Sequence, residues 1–136
     1  MRHPLHPALV HFPVACWSLA VLADFASLRF GAAAWSWSGG LLAVGCAMAV
    51  LAMLAGMMEL ARVPEGAALR DAWWHMGAML TAFTLFTARL LLRLDHFKPL
   101  EPDVTSLLLD AGGLLALAVG GWFGGRLVYG HGVGRE

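Results

Sequence analysis

Four apolar runs, each long enough to cross a bilayer, decide what this chain can fold into. They lie near residues 7–29, 38–61, 71–94 and 106–129. A helix needs about 20 residues to cross roughly 30 Å of hydrocarbon. In lipid, only helices and closed barrels satisfy their own backbone groups. The connections carry Gly31, Pro64-Glu65-Gly66, and Pro99 with Pro102, all turn or breaker residues. The chain is 60% hydrophobic and 13% charged, against about 45–50% and about 25% for soluble domains. The expected fold is all-α: an integral membrane, antiparallel four-helix transmembrane bundle. It forms one domain over residues 1–136 with up-down connectivity.

Local signals refine this expectation. Pro7 suits the first turn of helix 1, where a missing N–H costs little. Pro13 lies deeper, and neighbours must absorb its kink. Asp71 suits the start of helix 3, and Thr105 or Ser106 the start of helix 4. Arg2, the apolar stretch after it and Val21-Leu22-Ala23 could pass for a signal peptide. Three His and two Pro in the charged start argue against that, so residues 1–30 are read as part of the fold.

Composition also excludes whole classes of function. Nine Lys and Arg balance nine Asp and Glu, leaving no basic surface for nucleic acid. Cys16 and Cys46 fit no zinc or redox spacing and read as small buried apolar residues. No Ser-His-Asp, Cys-His, HExxH or phosphate-loop pattern occurs, so independent catalysis is not expected.

The histidines are the informative residues. In an up-down bundle the N-terminus, the 62–70 loop and the C-terminus share one membrane face, here called face A. His3, His6, His11, His75 and His131 all fall there; His96 alone falls on the opposite face B. Imidazole is a metal ligand and a titratable group. Helices 1 and 3 are expected to be diagonal, with His11 and His75 each about one turn inside. That suits two imidazoles approaching one ion, as in a b-type haem. His6 and His131 form a second pair or support the first. Arg62, Arg70 and Arg126 are near enough to face A to meet propionates, although Glu59 can also pair with Arg126. Gly56, Gly77 and the pairs Gly112-Gly113, Gly120-Gly121 and Gly124-Gly125 serve either close helix packing or a macrocycle.

Two other readings stay open. His3, His6, His11, His75 and His131, with Glu59 or Asp71, could form a non-haem transition-metal site. Alternatively the chain is an accessory subunit of a larger membrane complex, and its histidines cap helix ends. On face B, Asp24, Arg89 and Asp110 fall at one depth. Buried membrane charges are normally paired, so an Asp24–Arg89–Asp110 cluster is expected; it fixes register or forms an ion path. Trp35, Trp37, Trp73, Trp74 and Trp122 read as interfacial or lipid-facing. Basic residues place face A in the cytoplasm, in an inner membrane.

The opening His3-Pro4-Leu5-His6-Pro7-Ala8-Leu9-Val10-His11-Phe12-Pro13 resembles that of a family of small bacterial membrane proteins, domain of unknown function 2231. Gly56-Met57-Met58-Glu59 is similar to the family's helix 2 end, a Gly followed by an acidic residue. His75 and Arg89 stand where its helix 3 carries His and Arg. The ending Gly121-Trp122-Phe123-Gly124-Gly125-Arg126-Leu127-Val128-Tyr129-Gly130-His131-Gly132-Val133-Gly134 resembles the C-terminal signature, with Arg126 at a position that is often acidic. The resemblance implies a four-helix membrane protein. Some relatives occur beside cytochrome or Rieske-type domains, which implies electron transfer, with a redox protein or larger complex as partner.

Overall fold

The computed structural model describes residues 5–93 and 103–134. It contains four long helices: α1 (Leu5–Phe30), α2 (Ala32–Leu60), α3 (Ala67–Arg93) and α4 (Val104–Gly125). A π-helical turn, Arg126–Gly130, extends α4. All four are long and apolar enough to cross a membrane. The spans of 26, 29, 27 and 27 residues reach about 40 Å at 1.5 Å per residue, so they tilt or project beyond the hydrocarbon. Their outer faces carry Leu22, Leu28, Leu91, Leu108 and Leu115, all exposed. Lipid is the solvent these side chains suit. The fold is the antiparallel four-helix transmembrane bundle that the apolar runs predict.

Three boundaries differ from expectation. The 30–37 connection is a single residue: Gly31, at φ 75°, turns the chain directly into α2. Ala32-Ala33-Ala34 is strongly helix-forming, so helix resumes at once. α3 begins at Ala67, not near 71, and Asp71 therefore lies one turn inside it and is buried. The cap of α4 is Asp103, not Thr105 or Ser106. Its side chain accepts from the Ser106 N–H at 2.7 Å. The Ser106 hydroxyl and amide hold the exposed Asp103 carboxyl below the usual carboxylate range. The cap is therefore fully present above the ordinary value and is lost as pH falls through the lowered one.

α1 packs most closely on α2, and α3 on α4; α2–α3 and α1–α4 contacts close the ring. α1 and α3 are diagonal. Across the centre, Trp17 stacks on Phe86 with ring centroids 4.8 Å apart and planes 19° apart. Each ring lies on a glycine of its own hairpin partner. A Cβ at Gly45 would lie 2.7 Å from the Trp17 ring, and one at Gly113 would lie 2.7 Å from Phe86.

This arrangement exposes an internal repeat. Phe86 follows Trp17 by 69 residues and Gly113 follows Gly45 by 68. The α1–α2 hairpin and the α3–α4 hairpin thus carry matching parts, related by an approximate two-fold axis along the membrane normal. Parallel repeats of this kind recur in membrane folds. The Trp17–Phe86 stack lies on that axis.

The glycine seats are sensitive to substitution. Gly113→Val drives a branched side chain into a fully buried ring, and overpacking of this kind costs about 1–3 kcal/mol. Gly121→Val meets open space and should leave stability unchanged. Thermal unfolding in detergent, compared for the two variants, checks this.

Candidate functional site

Near face A, the same repeat places two histidines on the axis. His6 on α1 and His75 on α3 are separated by 69 residues in sequence. Their rings meet edge to face, 6.0 Å between centroids, with planes 84° apart. His6 Nδ1 donates to the Ala52 carbonyl of α2 at 2.7 Å. His75 Nδ1 donates to the Gly120 carbonyl of α4 at 2.8 Å. A carbonyl only accepts, so each Nδ1 bears the proton. In the neutral ring, Nε2 then keeps its lone pair.

Glycine makes these contacts geometrically accessible. A Cβ at Gly56 would lie 3.0 Å from the His6 ring, and one at Gly124 3.2 Å from the His75 ring. Each histidine therefore lies flat against a glycine and bonds the carbonyl four residues before it. The glycines of α4 are used for seating: Gly113 holds Phe86, Gly120 holds Met79 and Gly124 holds His75. Both histidines are half-buried.

Glu59 is half-buried and accepts from the His6 backbone N–H at 3.2 Å. It does not pair with Arg126, which instead reaches Asp71 Oδ2 at 3.1 Å. His131 Nε2 donates to the same Asp71 oxygen at 2.9 Å. Asp71 thus ties the π-helical turn back onto α3.

The pairing differs from the one expected from membrane levels. His11 lies on an exposed face of α1, so His6 is the residue that meets His75. Five residues along a helix turn a side chain by about 140°, so His6 and His11 cannot both face the axis. His131 belongs to the Asp71 pair and does not join His6. Arg70 and Arg62 are exposed. His3 and His96 lie outside the described residues. Among the described residues no group of three or more His, Cys, Asp and Glu is arranged to hold a metal ion. The expected six-residue set of His3, His6, His11, His75, His131 and Glu59 is therefore not gathered into one site here.

At the face B end, Arg89 lies between two carboxylates. Its Nη2 is 3.1 Å from Asp24 Oδ2, and its Nε is 3.4 Å from Asp110 Oδ1. Arg93 joins them, 4.0 Å from Asp24 Oδ1. Trp35 is not lipid-facing, as expected, but buried under both guanidiniums, at 4.5 Å from Arg89 and 4.0 Å from Arg93. Such stacking of cations on an indole face is favourable. Trp37, Trp73, Trp74 and Trp122 are exposed, as a membrane-facing position requires.

Sequence reasoning missed Trp17, Phe86, Gly45 and Arg93 as organising residues. The signal that could have found the first three is the recurrence at 68–69 residues. It aligns His6 with His75, Trp17 with Phe86, Gly45 with Gly113 and Gly56 with Gly124.

The family model described as "Predicted membrane protein (DUF2231)" matches residues 2–136 of the chain. No curated protein and no solved structure matches it.

Proposed function

We propose that this chain, which belongs to the DUF2231 family of predicted membrane proteins, is a b-type haem protein that carries electrons within the membrane. His6 and His75 would be the residues that hold the haem iron in this reading. The observation that carries it is the repeated pair: two neighbouring imidazoles in edge contact, each with Nδ1 bonded to a backbone carbonyl. Metal-binding histidines characteristically donate their second ring N–H in this way. Two imidazoles sharing one ion through bonds of about 2 Å place their ring centres roughly 6 Å apart, and the observed spacing is 6.0 Å.

The number of ligands favours haem over another metal. A non-haem tetrahedral site draws three or four ligands from protein. Haem needs only two, because the porphyrin supplies the rest. Bound there, haem supplies one-electron redox chemistry. The chain's own residues do the rest. Ala52 and Gly120 orient the rings, and Gly56 and Gly124 let them approach the helix. Met79, which lies against Gly120 one turn below His75, is the flexible side chain that yields to a macrocycle. Arg126, 48% exposed, pairs with Asp71 and would share that charge with a propionate. Partners in this reading are lipid and a redox protein or larger membrane complex. The setting is a bacterial inner membrane, with face A toward the cytoplasm.

A second reading is favoured by the glycine seats themselves. Each histidine joins one helix of a hairpin to the other, so the pair also serves as two clasps in an accessory subunit. The visible spectrum of purified protein, oxidised and then reduced with dithionite, separates the two. A Soret band that shifts on reduction, with sharp α and β bands, is the expected result. A flat spectrum from protein made with ample haem overturns the haem reading and leaves the clasp.

A further inference from the structure

Four buried charges near face B have no part in the histidine site. Asp24 and Asp110 are 0% exposed, Arg89 1% and Arg93 7%. They come from α1, α3 and α4, and Ser38 and Trp35 of α2 complete the wall. Arg93 donates to Ser38 Oγ at 2.5 Å and to the Trp35 carbonyl. Arg89 donates to Asp24 Oδ2 at 3.1 Å.

These bonds leave a specific shortage of donors. Asp24 Oδ1 and both oxygens of Asp110 are buried and accept no hydrogen bond. Arg89 Nε, although 3.4 Å from Asp110 Oδ1, makes no aligned bond either. Asp24 and Asp110 flank the same guanidinium, that of Arg89, from α1 and α4. Two ionised carboxylates can only accept, so neither can satisfy the other. One proton changes this, because a protonated carboxyl donates.

The internal repeat places apolar residues where the second hairpin carries Arg89 and Asp110. Asp110 corresponds to Leu42 of the first hairpin, 68 residues earlier, and Arg89 to Ala20, 69 residues earlier. Both counterparts are 0% exposed. An apolar pair fills the same place in the same architecture.

We propose that Asp110 is a proton-binding site. It takes one proton from water at face B, forming an O–H bond that donates to Asp24; release breaks that bond and returns the proton. Asp103, Ser106 and Asp110 follow one another at three- and four-residue spacing on α4, which places them along one helix face. Asp103 is exposed at the end of the helix, and its carboxyl is bonded to Ser106. The Ser106 hydroxyl therefore stands between the surface and Asp110. This site stands whether or not the histidines bind haem.

Infrared difference spectra of the full chain in lipid nanodiscs, taken between low and high pH, test it. The expected result is one protonated-carboxyl C=O band that shifts when aspartate is 13C-labelled. Asp110→Asn should remove it, and Asp110→Glu, which keeps an acid, should move it. Ser106→Ala should leave the band and slow its exchange with deuterium. If wild-type protein lacks an aspartate-dependent band, or if the band persists in Asp110→Asn, the site is overturned. Should Asp110→Asn fail to fold, a band unmoved by Asp110→Glu overturns it equally.

Discussion

Replacing His75 with Ala removes the bis-imidazole haem spectrum, and His6→Ala does the same, while His11→Ala leaves it intact. This contrast is the sharpest consequence of the pairing on the axis. His6 and His75 are in ring contact, whereas His11 is exposed on α1. The loss should be near complete, because His11 lies on an exposed side of α1 and His131 is bonded to Asp71. Insertion and helix content should survive. The variant forfeits one hydrogen bond to the Gly120 carbonyl, worth about 1 kcal/mol, which is small beside the packing of four spans. Gly124→Ala offers a graded version. Its methyl would sit 3.2 Å from the His75 ring and shift the ligand by a few tenths of an ångström against its carbonyl partner. Disturbing such a supporting contact lowers metal affinity about 10–100-fold. Haem titration of the three histidine variants and Gly124→Ala, followed at the Soret band, checks the series. Equal loss in His11→Ala would sink the assignment of His6.

The fold was legible because the membrane leaves few options. Once a run of apolar residues exceeds bilayer thickness, the backbone must be helical, and turn residues between runs set the up-down order. The site was legible in depth only. Counting turns places His6, His11 and His75 near one level, but depth carries no information about rotation around the helix axis. On a helix that is apolar nearly all round, hydrophobic patterning does not supply that rotation. The glycine contacts do: Gly56 opposite His6 and Gly124 opposite His75 mark which side of each helix faces in. Trp35 was misplaced for a related reason. Its indole sits near a helix end, where belts form, and only the arginines near the C-terminal end of α3 explain its burial. The Asp24, Arg89 and Asp110 grouping was accessible from depth alone, because charges in hydrocarbon must meet and few were available.

Arg89→Met should produce the largest loss of stability in the molecule. Arg89 is 1% exposed and is the cation nearest to both Asp24 and Asp110. Removing one partner of a buried ion pair leaves an uncompensated charge and costs about 3–5 kcal/mol. Arg89→Lys should recover only part of this. An ammonium is a compact point charge and cannot reach Asp24 and Asp110 together as the guanidinium fork does. Losing both partners is a different case, since apolar replacement of a whole buried pair is often neutral or stabilising. The first hairpin already contains that replacement, with Ala20 and Leu42 at the equivalent positions. The double variant Arg89→Met/Asp110→Leu should therefore be more stable than Arg89→Met alone, with Asp24 left facing Arg93 at 4.0 Å. Unfolding free energies of wild type, both single variants and the double variant, measured in mixed detergent, form a double-mutant cycle. A coupling near zero would mean that Arg89 and Asp110 do not act as a pair. A strong coupling with a stable double variant would mean that the charges are dispensable for the fold, and that their presence in only one hairpin serves proton binding.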